Sequence, residues 1–470
     1  MLYSSADNDL ELALLSDIQE IKKGAKDNNG YSVIVLIDRH EGLSSDKSVL
    51  FENFTGTKLF QIKGSKVIEL DGKDIFPEVG PKKDYEANMG DPENLKKFIQ
   101  YGKTYFPAEK YALIFGGHGD GAVKKRNTTS SANTYKRSIA QDDTGDRLFT
   151  GEITKHLTSD ESVDLIGFDS CYMGSIELAY QFRPGNGSFS AQIMIASPAV
   201  EWGNGWQYDE IFKRITGSPT KTDQSDDTLG GNEISITPEN LDILKFAAIF
   251  IEEQRDSTIG QSDSQTLSAY DLTKVADAKI AIDTFSIALF EEFKTYPAIK
   301  IAYESHRGDK NTIKTIPYYD YEYNHIGQYP YFDVYDFYLR ISNDTTNFSE
   351  NLRNLAKNIT TAVDELVLYS YAGSYYSNFT EGKNGIHILI PQGDPADKSD
   401  YAVYNHLGYY KWYHPHDLSI LDSDPETYGL LKWCQDSHIA DADRSTGQVE
   451  NYFELLDAWY DEYTPTGGYN

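Results

Sequence analysis

Cysteine is nearly absent from this chain: 470 residues hold only Cys171 and Cys434. No disulfide framework can be built from two thiols, so the fold's stability has to come from burial. Basic residues are also scarce, 43 Lys and Arg against 73 Asp and Glu, for a formal net charge of −30. Like-charge repulsion then argues against nucleic acid as a partner, while the surplus carboxylates suit a solvated acidic surface, cationic peptides or divalent metal. No run of eighteen apolar residues occurs, which excludes a helical membrane span. No charged-then-apolar leader is present either, and Met1-Leu-Tyr-Ser-Ser starts so abruptly on a strand-like pattern that a trimmed targeting segment is expected. Scarce cysteine fits the cytosol, or secretion of a protein large enough to need no staples.

What the chain does have is length and a strand–helix alternation. At 470 residues it exceeds the size at which one core usually stops growing, so two domains, or one enlarged domain with a lobe, are expected. The acidic, glycine-containing stretch Asp223–Gly231 marks the boundary, giving residues 1–222 as the core unit. Residues 223–470 are then a C-terminal region, part extending the core sheet and part a separate lobe. Tyr31–Asp38 reads as a strand buried on both faces, and Thr57–Ile62 with Lys66–Leu70 as a hairpin. Asn8-Asp9 caps a helix over Leu10–Lys22, and Asp91-Pro92-Glu93 starts another. Further on, Gln265–Leu272 and Asn384–Pro391 read as strands and Ser349–Tyr371 as one long helix. This alternation predicts an α/β fold with a largely parallel sheet covered on both faces.

Two strand patterns end on reactive residues: Tyr111-Ala-Leu-Ile-Phe-Gly-Gly-His118-Gly and Val163-Asp-Leu-Ile-Gly-Phe-Asp-Ser-Cys171-Tyr-Met-Gly. Side chains at the carboxyl ends of parallel strands project into the crevice where open α/β sheets place their chemistry. One strand delivers an imidazole and the other a thiol, the pair required for a thiolate nucleophile with a neighbouring base. A helix beginning shortly after Cys171 is expected to turn its positive end toward the sulfur. Gly119, directly after the histidine, leaves its N–H unobstructed and with the Cys171 N–H forms a candidate oxyanion hole. The histidine precedes the cysteine by about 50 residues, as in caspases and unlike papain. An α/β-hydrolase elbow is excluded because Asp169-Ser170-Cys171-Tyr172-Met173 lacks its flanking glycines.

Six segments in order, Tyr3-Ser-Ser-Ala-Asp-Asn-Asp-Leu-Glu, Met89-Gly-Asp-Pro-Glu, the two strand ends above, Gly203-Asn-Gly-Trp-Gln-Tyr208 and Leu267-Ser-Ala-Tyr-Asp-Leu272, closely resemble the clostripain family of cysteine peptidases. The resemblance runs from the first residues to about position 272, with a weaker echo at Asn384–Pro391. It implies a caspase-like α/β/α sandwich with a C-terminal lobe, a dyad of His118 and Cys171, and protein or peptide substrates. It also implies cleavage after Arg or Lys, guided by acidic side chains in the primary specificity pocket. Asp169 is one of these, the alternative being that it only accepts hydrogen bonds from loop amides. At the second acidic position this chain has Asn204, which puts strict basic preference in question; Glu201 is the candidate substitute. The family matures by self-cleavage between the His and Cys strands, which points to Lys136 and Arg137 within the basic, Ser/Thr-rich 122–147 loop. No cofactor is required for the chemistry. Calcium is implied, with Asp142, Asp143 and Asp146 as oxygen donors or simply an acidic turn. An extracellular or cell-surface setting follows from the same resemblance. The rival readings are a caspase-like binding protein without catalysis and a peptidase of altered specificity.

Overall fold

The structure, a computed structural model, describes residues 1–25, 30–119, 121–122, 139–142, 146–215, 241–258, 264–306, 319, 331–376, 378–390, 428, 431–436 and 449–460. Its strands are β1 (Leu2–Ala6), β2 (Val33–Arg39), β3 (Gly56–Lys63), β4 (Lys66–Glu69), β5 (Ala112–Gly116), β6 (Ala140–Gln141), β7 (Arg147–Leu148), β8 (Leu165–Asp169), β9 (Ile193–Ala196), β10 (Thr266–Asp271), β11 (Tyr331–Asp333), β12 (Val367–Ala372) and β13 (His387–Leu389). Nine of them form one sheet in the order β12-β10-β9-β8-β5-β1-β2-β3-β4. The five central strands, β9 through β2, are parallel, and antiparallel strands close both edges.

Alternation along each central strand sends side chains into two separate cores. Tyr3, Leu36, Leu113, Phe115, Ile166, Phe168, Met194 and Tyr270 face one. Leu2, Val35, Ile37, Ile114, Leu165, Ile195 and Ala269 face the other. The α-helices among the described residues are α1 (Glu11–Gly24), α2 (Pro92–Tyr105), α3 (Thr150–His156), α4 (Ile176–Gln181), α5 (Tyr208–Ile215), α6 (Ile243–Thr258), α7 (Val275–Thr295), α8 (Ala298–Ser305), α9 (Val334–Asn343), α10 (Glu350–Leu366), α11 (Lys432–Gln435) and α12 (Tyr452–Tyr460). The second core takes α1, α5 and α6; the first takes the remaining nine. The result is the expected α/β/α sandwich. Asp91 caps α2 as read from sequence, its side chain accepting from Glu93 N–H, with Pro92 in the first turn.

The helix read over Ser349–Tyr371 stops sooner than its pattern suggested. It ends at Leu366, and Val367-Leu-Tyr-Ser-Tyr-Ala becomes β12, the outermost strand beside β10. This β-branched and aromatic run gains more from a place on the sheet edge than from another helical turn. The Asn384–Pro391 segment does form a strand, β13, but it pairs with β11 outside the main sheet.

Candidate active site

Register decides where the two reactive residues lie. Strands β5 and β8 are parallel neighbours with Gly116 opposite Asp169, so His118 and Cys171, each two residues further on, leave the sheet at the same level. Neighbouring strands run about 5 Å apart, so both side chains belong to a common rim. Both are partly exposed. The two strand ends are tied together: Ser170 Oγ donates to Gly117 O at 2.8 Å, and Gly117 N–H to Asp169 O at 3.4 Å.

The imidazole has a partner that the sequence reading assigned elsewhere. His118 Nε2 lies 2.7 Å from Asp9 Oδ1. Asn8-Asp9 was expected to cap α1, but the helix is entered through Leu10 with no side-chain cap, and Asn8 Oδ1 accepts from Leu10 N–H at 3.0 Å in the turn before it. Strand β1 lies beside β5, which brings the turn after Ala6 next to the histidine. A carboxylate on one ring nitrogen orients the ring and leaves the other to exchange a proton.

The Cys171 thiol donates to the Glu201 carbonyl at 3.4 Å. Tyr172, the next residue, has φ +59°, a left-handed conformation that costs a bulky side chain on the order of 1 kcal/mol. Strand β13 holds it there. His387 Nε2 bonds Tyr172 O at 3.0 Å, His387 N–H donates to Gly174 O at 2.9 Å, and the His387 ring stacks on Tyr331 at 4.0 Å. Burial depresses the His387 pKa to about 3, so this imidazole is a neutral strut. The expected helix end at the sulfur is not found. Helix α4 starts only at Ile176, and the Tyr172, Gly174 and Ser175 amides already donate to the carbonyls of Ala199, Ser197 and Met173. By contrast, the Gly119 amide makes no hydrogen bond among the described residues. A Cβ at Gly119 would come within 2.6 Å of Ser170 Cβ and 2.7 Å of Cys171 O. Only glycine lets the two loops approach so closely.

Asp169 ends β8 on the face toward α1 and α5. Its Oδ2 accepts from the Tyr208 hydroxyl at 2.9 Å and from Trp206 N–H at 3.3 Å. Gly167, two residues earlier on the same face, leaves room for the Trp206 indole, which would stand 3.0 Å from a Cβ there. Asp17 of α1 joins this carboxylate. A Cβ at Gly205, where φ is +59°, would be 2.7 Å from Asp17 Oδ1 and 3.2 Å from Asp169 Oδ2. Asp17 Oδ1 and Glu201 Oε2 are buried with no hydrogen-bond partner among the described residues. Glu201 Oε1 accepts from the Gln265 and Gln254 amides.

These carboxyls raise one another. Burial first, then the neighbouring Asp169, pushes Asp17 and Glu201 well above the usual carboxylate range. Asp169 itself is pushed by burial up to about 6, against the pull of Tyr208 and Trp206. Glu20, one turn from Asp17, reaches about 7 through burial and the nearby Asp209. An open cavity of about 1240 Å³ has Glu20, Asn204, Gly205, Gln254 and Gln265 in its wall. The cavity wall also carries Lys23, but no cation among the described residues figures among the charges acting on Asp17, Asp169 or Glu201.

Of the predicted residues, His118, Cys171, Gly119, Asp169 and Glu201 come together, and Asn204 is exposed in the cavity wall. Asp142 and Asp146 fasten the β6–β7 ribbon to the turn before α2. Asp142 Oδ2 accepts from Met89 N–H at 2.7 Å, and Asp146 Oδ2 from Asn88 Nδ2 at 2.5 Å. Lys136, Arg137 and Asp143 lie outside the described residues. Asp9, Asp17 and Glu20 were missed; only a sequence segment already singled out, Tyr3–Glu11, pointed at the first.

The sequence matches the model of the clostripain family over residues 2–439. It is 43% identical to clostripain of Hathewaya histolytica over 483 residues, covering all of this chain and 88% of that protein. Among solved structures it resembles a secreted cysteine protease of Bacteroides thetaiotaomicron in complex with an irreversible peptide inhibitor. That match has a TM-score of 0.52 and 17% identity over 90% of this chain and 98% of the other. A second structure of a secreted cysteine protease from that organism gives 0.51 and 15%, over 83% and 91%. The fold is thus caspase-like, and the chain belongs to the clostripain family, a cysteine-type endopeptidase.

Proposed function

We propose that this endopeptidase works through Cys171 and His118 and cleaves on the carboxyl side of Arg or Lys. The reading is supported by the β5–β8 register, which gives thiol and imidazole one level at the rim, beside a buried acid group that no cation among the described residues pairs with. His118, held by Asp9, takes the Cys171 proton, and the thiolate attacks the scissile carbonyl carbon. The oxyanion is received by the Gly119 and Cys171 amides; the amine leaves with the proton from His118, and water then hydrolyses the thioester. Asp169, with Asp17 and Glu201 behind it, receives the guanidinium or ammonium of the residue before the cut. Asn204 thus contributes no charge, and the acids missing there are supplied from α1 and from Glu201.

The reacting atoms need no metal or organic cofactor; calcium, implied by resemblance, would act on the fold. Self-cleavage at Lys136 or Arg137 and an extracellular or cell-surface setting complete the proposal. No described helix is long and apolar enough to cross a membrane. Peptides ending in Arg, Lys or a neutral residue before a fluorogenic leaving group test specificity. Thiol-dependent turnover of the basic pair, abolished in Cys171→Ala, is expected. Preference for a neutral residue would discard the basic assignment while leaving the dyad. A mass spectrum of wild type beside Cys171→Ala tests self-cleavage, which predicts termini after Lys136 or Arg137 in the wild type alone.

A further inference from the structure

The two-stranded ribbon of β11 and β13 lies outside the main sheet, yet it meets both loops that carry the candidate dyad. His387 opens β13, pairs with Asp333 of β11, and bridges in parallel to Ser175, four residues after Cys171. Tyr172 is thereby fixed at both ends: its N–H donates to Ala199 O at 2.8 Å, and its carbonyl accepts from His387 Nε2 at 3.0 Å. Of the four described non-glycine residues with positive φ, Phe51, Lys73, Lys82 and Tyr172, only Tyr172 is buried. The other three stand on exposed turns, so this strained backbone is placed where the surroundings over-determine it, directly after the nucleophile.

Tyr331 carries the tie to the other loop. Its ring stacks on the His387 imidazole at an interplanar angle of 19° and lies 5.8 Å from the Tyr172 ring. Its hydroxyl comes up to Gly121, three residues past His118. A Cβ at Gly121, where φ is +76°, would stand 2.8 Å from Tyr331 Oη and 2.7 Å from Tyr172 O. One buried aromatic pair thus abuts the loop of the imidazole and the loop of the thiol. The neutral His387 ring carries a single proton, and because a carbonyl can only accept, that proton is on Nε2. Nδ1 is then an acceptor, buried and without a hydrogen-bond partner among the described residues. A hydrocarbon ring would pack there without that cost, so the cost is borne for the bond to Tyr172.

We infer that His387 is a positioning residue for the nucleophile: its Nε2–H holds the Tyr172 carbonyl and so fixes Cys171 opposite His118, while Tyr331 ties the same turn to the loop after His118. The pair acts through Tyr172, not on substrate. The last part of the chain to enter the ribbon, more than 200 residues beyond Cys171, therefore completes the geometry of the thiol. This role rests on the reading of Cys171 and His118 as the dyad, and the experiment separates the two.

His387→Phe keeps a flat ring for the Tyr331 stack and removes the donor; His387→Gln removes the ring and keeps an N–H at the place of Nε2. In the full-length chain, His387→Phe should lower kcat for an Arg peptide by about 10–10²-fold, the effect of a misplacement of about 1 Å, with KM changed by less than about threefold. His387→Gln should keep kcat within about threefold of wild type. Alkylation by iodoacetamide reads the thiol itself, because Cys434 is buried. At about pH 6 it should slow about tenfold in His387→Phe, and likewise in the control His118→Ala. Equal losses of kcat in the Phe and Gln variants, or wild-type kcat and alkylation in a folded His387→Phe, overturn the positioning role. If His387→Phe does not fold, His387→Asn, whose amide stops short of the Tyr172 carbonyl, is set against His387→Gln with the same outcomes. Alkylation unchanged in His118→Ala overturns the dyad and this role together; alkylation slowed there but not in His387→Phe overturns this role alone.

Discussion

Two acid clusters flank the candidate dyad along one edge of the sheet, and they differ in what surrounds their oxygens. Beside Cys171, Asp169 is met by directional donors, the Tyr208 hydroxyl and Trp206 amide, and by glutamines around Glu201, next to an open cavity. Beyond His118, Asp38 accepts from the Thr57 hydroxyl, and its second oxygen has no hydrogen-bond partner among the described residues. The first setting leaves room for a large organic cation that arrives and departs. The second is a close group, with one oxygen from each of Asp7, Asp38 and Glu86 within 4.8 Å of the others. Identical side chains are thus given different surroundings by cavity size and donor supply.

The largest effect on this contrast should come from Asp169→Asn. It should lower kcat/KM for Arg and Lys peptides by about 10²–10³, the cost of losing one partner of a buried charge pair, while sparing neutral peptides. Equal losses for basic and neutral peptides would remove Asp169 from the specificity pocket. Gly119→Ala, whose Cβ meets Ser170 and Cys171, should lower kcat by about 10²-fold for every substrate alike. An unaltered kcat would mean that the close approach of Gly119 to Ser170 and Cys171 is not needed for turnover. Asp17→Asn should act only on basic peptides and by about tenfold, since Asp17 stands behind Asp169.

Titration offers a finer test. With Asp169 at about 6, the free pocket is protonated below that pH and loses its attraction for cations. The rate constant kcat/KM for Arg peptides should therefore fall below about pH 6, by a further tenfold per unit, relative to neutral peptides. Matching profiles for the two substrates would contradict this. The same raised value means that Asp169's contribution to folding is fully present below its unfolded pKa and is lost as pH rises through about 6. Asp169→Asn should accordingly raise Tm slightly at pH 7.5 while abolishing basic preference, and a lower Tm there would show the carboxylate to be structurally required.

The dyad could be read from local pattern because each reactive residue ends an apolar run bounded by glycine, and strand ends keep their meaning wherever the chain goes next. The Asp91 cap was equally local. Asp9 was misread because Asp beside Asn before a helix is a capping signal in its own right, and its true partner is 109 residues away. Asp17 and Glu20 lie on an amphipathic helix, where an acid ordinarily marks the solvated face; their burial depends on α5 arriving from beyond residue 207. β12 was lost in the helix before it, since Val367–Ala372 is a strand only once β10 offers an edge.

By itself, then, the order of residues determined the elements, the two-faced parallel strands, and the thiol and imidazole at their ends, all consequences of forces acting within a few residues. Tertiary structure alone decided which acids stand together, because carboxylates from β1, β2, α1, β8 and distant loops become neighbours only after the sheet sets its strand order. The physical reason is burial. A carboxylate's role here depends on the water, donors and charges left around it, and those belong to the assembled sandwich, not to any segment.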